Sequence, residues 1–356
     1  MHKTELNREK AILVGVSTIL TELEELSKTA GIDVLGHLTQ NLEAINRKSY
    51  IGKGKVEELK NLVIEKGADL VITDDELTSS QLSYLSENLD TKVMDRTMLI
   101  LDIFSRNAKS SEALAQVEIA QLRYNLAHLA GLGVSLSRIG GGSSSSGGYT
   151  RGAGEKKIEL DRRKIRNKID KLNDDLKNIK NHRETNRKQR KKNEQKTVAL
   201  IGYTNAGKST LMNALTDAGV TSEDKLFATL DTTTRKLYVK GKNILISDTV
   251  GFIEKLPPTI VKAFRSTLEE LLYADCLLHV VDSSNENFEN QMDVVYDTLN
   301  KLGAINIPVI TVFNKIDIVE RPILKDERAV HIVKISAKKE QNIDELINKI
   351  THILNL

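Results

Sequence analysis

One cysteine, no tryptophan and four prolines occur in the 356 residues of this chain, and no proline lies in the first 250 positions. The single cysteine, Cys276, excludes an internal disulfide framework and is typical of a reducing compartment. The chain also lacks any run of about 18 apolar residues, which excludes an ordinary transmembrane helix. Its opening segment, MHKTELNREK, has no apolar core of the kind that a secretory signal requires. We therefore expect a soluble, cytoplasmic monomer without a membrane span.

Positive charge is concentrated in one part of the chain. The net charge is only +3, yet residues 151–196 carry 18 Lys and Arg against 8 Asp and Glu, which leaves the rest of the chain net negative. Such asymmetry favours a polyanionic partner. A solvated helix face would give the same composition, so charge alone leaves both interpretations open.

The first hundred residues alternate short apolar runs with helical patterns. Apolar runs at 11–16, 34–38 and 69–74, with a short segment inside 92–106, predict strands, and the segments between them predict amphipathic helices. Strands that alternate with helices imply a parallel sheet covered by helices. We expect a small α/β domain over residues 1–108.

Two long helical patterns follow. One apolar stripe is formed by Leu114, Val117, Leu122, Leu126 and Leu129, and a second, with the spacing of a coiled-coil seam, by Ile165, Ile169, Leu172, Leu176 and Ile179. The glycine- and serine-rich segment 140–154 connects them. We expect a projecting antiparallel hairpin over residues 109–195, whose last stretch is an exposed basic helix or a linker because it has no apolar seam.

A second strand and helix alternation occupies residues 196–356. Apolar strands are expected at 197–203, 243–251, 276–284, 308–317 and 330–336, with helices at 208–216, 259–273 and 342–356 among others. About 160 residues with this alternation make a complete doubly wound α/β domain.

Residues 202–209, GYTNAGKS, match the phosphate-loop pattern GxxxxGK[ST] between a strand and a helix, which is the context that the motif requires. Gly202 and Gly207 allow the backbone to form a cup whose N–H groups face phosphate oxygens. Lys208 reaches the β and γ phosphates and Ser209 can bind Mg²⁺. The expected phosphate-contacting residues are Gly202, Tyr203, Thr204, Asn205, Ala206, Gly207, Lys208, Ser209 and Thr210.

Three later motifs each follow a predicted strand. In DTVG the carboxylate can hold Mg²⁺ through water and the last amide can contact a γ-phosphate. In NKID the aspartate can accept from guanine N1–H and the 2-amino group, and adenine offers no such pair of donors. In SAK a backbone N–H can point at guanine O6. Each piece is also typical of a turn, but the complete order predicts a guanine-nucleotide site that includes Asp248, Thr249, Val250, Gly251, Asn314, Lys315, Ile316, Asp317, Ser336, Ala337 and Lys338.

The motif order resembles that of the translation-factor-like GTPases, and several further segments resemble the HflX family. These segments are LFATLDTTTR, YIGKGKVEEL, DRTMLILDIF, AQVEIAQLRY, SRIGGG, RGAGE, LDRR and LPPTIVKAFRSTLEE. The resemblance implies a GTPase that converts GTP to GDP with Mg²⁺. It also implies binding to the large ribosomal subunit and its rRNA, with the hairpin tip near the peptidyl transferase region, and a role in splitting or rescuing ribosomes.

The resemblance also implies a first switch segment made of Phe227, Ala228, Thr229, Leu230 and Asp231, in which Thr229 completes the Mg²⁺ shell beside Ser209 and Asp248. From the residues alone, Thr232, Thr233 and Thr234 are equally capable. Lys208, Thr229 and Gly251 are the expected catalytic residues. The family usually has RGPGE after the glycine loop, whereas this chain has Ala153 and a four-serine run.

Hydrolysis should be slow without a partner. The residue after DTVG is Phe252, an apolar side chain that cannot orient water by hydrogen bonding.

The segment 140–154 is interpreted as an RNA-contacting tip, in which Arg151 meets phosphates and Tyr149 stacks on a base, or as a spacer. Two other functions stay open: an RNA-binding or assembly module in which the nucleotide is structural, and an ATP-driven RNA remodelling enzyme.

Overall fold

The computed structural model describes residues 8–139, 151–192, 195–216, 226–227, 233–255, 257, 260–261, 269–319 and 324–356. The chain divides into two compact units. The N-terminal unit comprises Met1–Arg106 and Ala115–Lys177, and the C-terminal unit comprises Asn107–Leu114 and Asn178–Leu356. No helix in the described ranges is both long enough and apolar enough to cross a membrane.

The N-terminal unit contains a four-stranded parallel sheet of order β2-β1-β3-β4. Apart from Lys10 at its start, the strand 10–16 is buried, as is the whole of 70–73, because helices cover the two faces, which explains their apolar sequences. The predicted alternation of strands and helices is confirmed. The elements are β1 (Lys10–Val16), α1 (Thr21–Thr29), β2 (Asp33–Gln40), α2 (Lys53–Lys66), β3 (Leu70–Thr73), α3 (Ser79–Leu89), β4 (Lys92–Asp95) and α4 (Arg96–Asn107).

Two long helices follow, α5 (Ser111–Ile139) and α6 (Arg151–Lys192). An ion pair joins Glu118 of α5 to Lys168 of α6, which is the pairing expected for two antiparallel helices joined at residues 140–150. Helix α6 continues to Lys192, so the basic stretch that had no apolar seam is helical.

The predicted stripe of α6 is confirmed, since Ile169 is buried and Ile165, Leu172, Leu176 and Ile179 are half-buried. The predicted stripe of α5 is wrong at Leu114, which is exposed, while Val117 is buried and Leu122, Leu126 and Leu129 are half-buried. The buried face of α5 also carries Ala120, Tyr124 and His128, which the predicted stripe did not include.

Polar contacts explain which face of α5 is buried. The Tyr124 hydroxyl donates to Asp95 Oδ2 at 3.0 Å, and the two ring nitrogens of His128 lie 2.9 Å from Tyr124 O and 2.7 Å from Leu77 O. The stripe predicted from the sequence contains only aliphatic residues and therefore leaves out Tyr124 and His128, although both side chains are apolar over most of their surface.

The C-terminal unit contains a six-stranded sheet of order β10-β9-β8-β5-β7-β6, in which only β6 is antiparallel to its neighbour. Apolar residues from the strands and from α7 and α9 form its largest described core. The elements are β5 (Thr197–Gly202), α7 (Lys208–Thr216), β6 (Thr233–Val239), β7 (Lys242–Asp248), a 3₁₀ turn (Glu269–Tyr273), β8 (Cys276–Asp282), α8 (Phe288–Leu302), β9 (Val309–Asn314), β10 (His331–Lys334) and α9 (Ile343–Leu354).

The sequence did not predict strand β6. Only Leu237 and Val239 point into the core, while Arg235, Lys236 and Tyr238 are exposed. An edge strand buries one face at most, so its apolar signal is weak. Of the helix predicted over 259–273, residues 260–261 are helical, 269–273 form the 3₁₀ turn, and 262–268 lie outside the described residues.

Candidate nucleotide site

The segment between β5 and α7 folds into a loop that only glycine permits at two positions. Gly202 has φ +148° and Gly207 has φ +94°, and Asn205 between them has φ +61°. A Cβ atom on Gly202 would lie 2.2 Å from Val280 O, and one on Gly207 would lie 2.3 Å from Asn314 Nδ2. The loop therefore has both the backbone curvature and the close approach to its neighbours that the pattern predicted.

Lys208 begins α7 and its side chain turns back over the loop. Its ammonium group donates to Gly202 O at 3.1 Å and to Tyr203 O at 2.7 Å. Burial lowers the pKa of this ammonium to about 8, and the negative charge of Asp248 opposes that shift. An amine in this position is held by neutral carbonyl groups, which leaves its charge available to an anion.

The Ser209 hydroxyl donates to Asp248 Oδ2 at 2.8 Å. Asp248 is buried at the end of β7, a direct neighbour of β5, and Thr249 next to it donates to Leu200 O at 2.7 Å. A hydroxyl and a carboxylate oxygen suit Mg²⁺, which binds one or two protein oxygens together with phosphate and water. The described residues contain no group of three or more His, Cys, Asp or Glu side chains that could hold a metal ion.

The segment after β7 lies directly against the loop. Thr204 N donates to Phe252 O at 2.8 Å, and Phe252 N donates to Gly202 O at 3.1 Å. A Cβ atom on Gly251 would lie 2.7 Å from Thr204 Cγ2 and 3.0 Å from Lys208 Nζ, so this position also requires glycine.

The Phe252 side chain is buried in a core cluster with Ile201 and Leu277. This side chain therefore packs inside the unit. Glu254 N donates to the Tyr203 hydroxyl at 2.8 Å, which adds a side-chain contact between the loop and the segment that follows Gly251.

Asn314 connects three of the predicted motifs. Its Nδ2 donates to Ala206 O in the loop at 2.9 Å, and its Oδ1 accepts from Ala337 N at 2.9 Å. Its main-chain oxygen accepts from Ser283 N and Oγ at 3.0 and 2.6 Å. The sequence predicts Asn314 at the site through its position at the start of NKID, but it gives no signal for this connecting role.

The two motifs that were expected near guanine are neighbours. Lys315 donates to Asp282 Oδ2 at 2.6 Å, and Asp317 Oδ2 lies 3.8 Å from Lys339 Nζ. A hydrogen bond from Ser336 lowers the pKa of the Asp317 carboxyl below its ordinary value. Asp317 is therefore a carboxylate at neutral pH, as a guanine-accepting group must be.

Some of the remaining predicted site residues are described by the structure and others are not. Thr210 lies on α7, Val250 is buried, Ile316 N donates to Ile335 O at 3.3 Å, and Lys338 is exposed after Ala337. Phe227 is buried with φ +57°. The other expected residues of the first switch, which are Ala228, Thr229, Leu230 and Asp231, lie outside the described residues, as does the loop 140–150.

Three family models match successive parts of the chain. Residues 17–105 match "GTP-binding GTPase N-terminal", residues 107–190 match "GTP-binding GTPase Middle Region", and residues 197–315 match "50S ribosome-binding GTPase". A curated relative, GTPase HflX of Lacrimispora saccharolytica, is 53% identical over 97% of this chain and 83% of its own length. The chain belongs to the HflX family of GTPases.

Other members and a solved structure agree with this assignment. GTPase HflX of Caldanaerobacter subterraneus subsp. tengcongensis is 49% identical over 98% of this chain and 82% of its own length. The crystal structure of the complex of SsGBP with GDP is similar with a TM-score of 0.55 and 26% identity over 98% of each chain. The fold class, the P-loop GTPase domain and the GTPase activity expected from the sequence are thereby confirmed.

Proposed function

We propose that this HflX-family GTPase binds GTP and GDP between its phosphate loop and the NKID and SAK motifs. The observation that carries the proposal is the pair of hydrogen bonds from Asn314, one to Ala206 and one from Ala337, because these bonds bring phosphate-binding and base-binding motifs into one pocket. The loop amides and Lys208 hold the phosphates, and Asp317 accepts from the guanine ring.

Ser209 and Asp248 are the described residues that would hold Mg²⁺, and Thr229 is our proposal for a third ligand on the strength of the family resemblance alone. When bound, the ion neutralises negative charge that develops on the phosphate oxygens. A Cβ atom on Gly251 would lie 3.0 Å from Lys208 Nζ, and this closeness supports a role for the Gly251 amide at the γ-phosphate. The Phe252 side chain cannot orient water, so turnover is slow until a partner orders the site.

The proposed partner is the large ribosomal subunit, and the proposed location is therefore the cytoplasm. The match of residues 197–315 to a 50S ribosome-binding GTPase supports this partner, and the basic composition of residues 151–196 suits rRNA. We propose that a monomer binds through the hairpin formed by α5 and α6, that the nucleotide state controls binding, and that binding serves ribosome splitting or rescue.

Co-sedimentation with purified large subunits in a non-hydrolysable GTP analogue and in GDP tests this function. We expect more protein on subunits with the analogue, and GTP turnover that rises at least tenfold when subunits are added. Equal binding in both nucleotides together with unchanged turnover would favour the RNA-binding module in which nucleotide is structural.

Competition of ATP with GTP, measured on the full chain and on Asp317→Asn, tests the base assignment. Loss of a charge-assisted hydrogen bond pair costs about 1.5–3 kcal/mol, or roughly 10–100-fold in GTP affinity. Xanthine nucleotides should bind Asp317→Asn better than guanine nucleotides do, because a xanthine oxygen accepts from the new amide. A variant that keeps its preference for GTP would contradict the role of Asp317.

A further inference from the structure

A basic cleft lies at the end of the C-terminal sheet that is opposite the phosphate loop. It has a volume of about 890 Å³ and is lined by Lys196, Lys236, Lys242, Asn243 and residues 354–356 at the end of α9. Lys196 precedes the first residue of β5, whereas the phosphate loop follows its last. Six strand residues separate the two ends by about 20 Å at ~3.3 Å per residue, so the cleft does not belong to the nucleotide site.

The cleft carries a surplus of positive charge. Asp275 is the one acidic side chain in its described lining, and that carboxylate is already shared by Lys196 Nζ at 3.2 Å and Thr197 N at 2.8 Å. Among the described residues, Lys236 and Lys242 have no ion-pair partner. Two lysines with unbalanced charge therefore face solvent at the cleft.

An aromatic side chain stands beside Lys236, while the register places Lys242 opposite Val239 on the other face of the hairpin. Tyr238 is 70% exposed and lies on the same face of β6 as Lys236, opposite Asn243 in the β6 and β7 register. A two-residue turn, Lys240-Gly241 with φ +49° and +81°, closes this hairpin, and Lys240 Nζ donates to Leu356 O at 3.3 Å. A cation such as Lys236 beside an exposed aromatic ring is a combination that binds nucleic acid, because a phosphate meets the charge and a base stacks on the ring.

The cleft also continues a basic stretch of the chain. Helix α6 ends at Lys192, four residues before Lys196, and residues 183–192 contain six Lys and Arg and one Glu. Four residues span at most about 14 Å. The basic end of α6 therefore lies within about 14 Å of Lys196 at the cleft.

We propose that the basic cleft binds the phosphate backbone of RNA and that Tyr238 stacks on an unpaired base. Exposed lysines on an edge strand also disfavour pairing with other strands, but that role requires neither Lys196 nor Tyr238. This surface is separate from the hairpin tip and from the nucleotide pocket. It gives the GTPase-bearing unit its own contact with RNA.

Charge reversal at the cleft is the first test. The double variant Lys236→Glu/Lys242→Glu of the full chain is compared with Lys301→Glu/Lys325→Glu, which makes the same change in net charge at exposed positions outside the cleft. The probe is a labelled RNA hairpin with an unpaired loop, titrated at several salt concentrations. We expect the cleft variant to bind at least tenfold more weakly and to lose about two units of salt dependence, roughly one per phosphate contact.

Tyr238→Ala and Tyr238→Phe form the second test. Stacking of a base on an aromatic ring is worth about 1–3 kcal/mol, so the alanine variant should bind the RNA hairpin roughly 5–100-fold more weakly while the phenylalanine variant keeps its affinity. A blunt RNA duplex, which offers no unpaired base, should not distinguish the two. GTP affinity should be unchanged in all of these variants.

Identical RNA affinity and salt dependence in the cleft variant and its control would overturn the inference. So would a cleft variant whose RNA binding is intact but whose self-association changes, because the edge strand would then serve protein pairing. A further variant with 140–154 replaced by a short turn separates this result from the proposed function. If only the 140–154 variant loses large-subunit binding, the proposed function is supported and the cleft inference is contradicted. If only the cleft variant loses it, the cleft inference is supported and the proposed binding through the hairpin is contradicted.

Discussion

The two units place charged side chains at the same edge of a parallel sheet but use them differently. In the C-terminal unit, Lys208 follows a loop that contains glycine, Asp248 precedes another, and Lys208 is held by backbone carbonyls. In the N-terminal unit, Arg96 donates to Asp74 at 2.7 Å and to Glu22 at 2.8 Å. Topology brings polar groups to the carboxyl ends of strands in both units. Whether these polar groups can bind a ligand or pair with one another depends on the backbone conformation around them.

The segment Gly52-Lys53-Gly54-Lys55 illustrates the difference. It resembles a phosphate cup in composition and it opens α2. However, Gly52 N donates to Gln40 Oε1 at 2.8 Å, Gly52 has an ordinary φ of −63°, and Lys55 pairs with Glu58 at 2.7 Å. Its groups contact the protein itself, which favours the interpretation as a turn that opens a helix.

The largest expected difference between the two units comes from removing one lysine from each glycine-rich segment and measuring GTP turnover. Lys208→Ala removes a donor aimed at the developing phosphate charge, so GTP turnover should fall by at least ~100-fold, the size of effect typical of such donors. Lys53→Ala in the N-terminal segment should leave turnover unchanged. A steady-state phosphate-release assay measures both. Equal losses would mean that the N-terminal segment takes part in the reaction.

Ion pairs of α4 offer a second test, on stability. Arg96→Ala leaves the buried Asp74 carboxylate without its cation, which costs about 3–5 kcal/mol of unfolding free energy. The exposed Arg106, which pairs with Asp102, is the control in the same helix, and Arg106→Ala should cost ~0–1 kcal/mol.

Chemical denaturation followed by circular dichroism measures both arginine variants. Cys276 reports on the C-terminal unit separately, because burial raises the pKa of its thiol to about 12 and it should react with an alkylating reagent only after that unit opens. A similar loss for both arginine variants would show that the Arg96 cluster is not a buried ion pair in solution.

The smallest expected effect comes from removing one hydroxyl in each unit. Tyr50→Phe deletes a hydrogen bond to Asp75 Oδ2 of 2.7 Å, and should lower the unfolding free energy by about 1 kcal/mol without changing turnover. Tyr203→Phe deletes the acceptor for Glu254 N, and should lower kcat a few-fold at nearly constant KM, because it loosens the segment that carries Gly251. If Tyr50→Phe slowed turnover and Tyr203→Phe did not, the assignment of catalysis to the C-terminal unit would be contradicted.

Much of the fold was predictable because its signals are strong. Fully buried strands such as Val309–Asn314 are continuous apolar runs, and the phosphate loop is an unbroken pattern of eight residues. Strand β6 was missed because an edge strand with exposed Arg235, Lys236 and Tyr238 has almost no apolar periodicity. The burial of Tyr124 and His128 on α5 was not predicted, because hydrogen bonds hold these two side chains and a pattern of aliphatic residues does not contain them.

Features that depend on neighbouring residues follow from the order of amino acids alone. Gly202 and Gly207 permit a backbone curve that side chains would forbid, and that requirement is visible within one short segment. The three-dimensional fold, in contrast, sets how Asn314 joins Ala206, 108 positions away, to Ala337, 23 positions away. It also brought Lys196, Lys236 and Lys242 around one cleft. Hydrogen bonds and charges act over a few ångströms, and the pairing of strands, not spacing along the chain, sets which groups come that close.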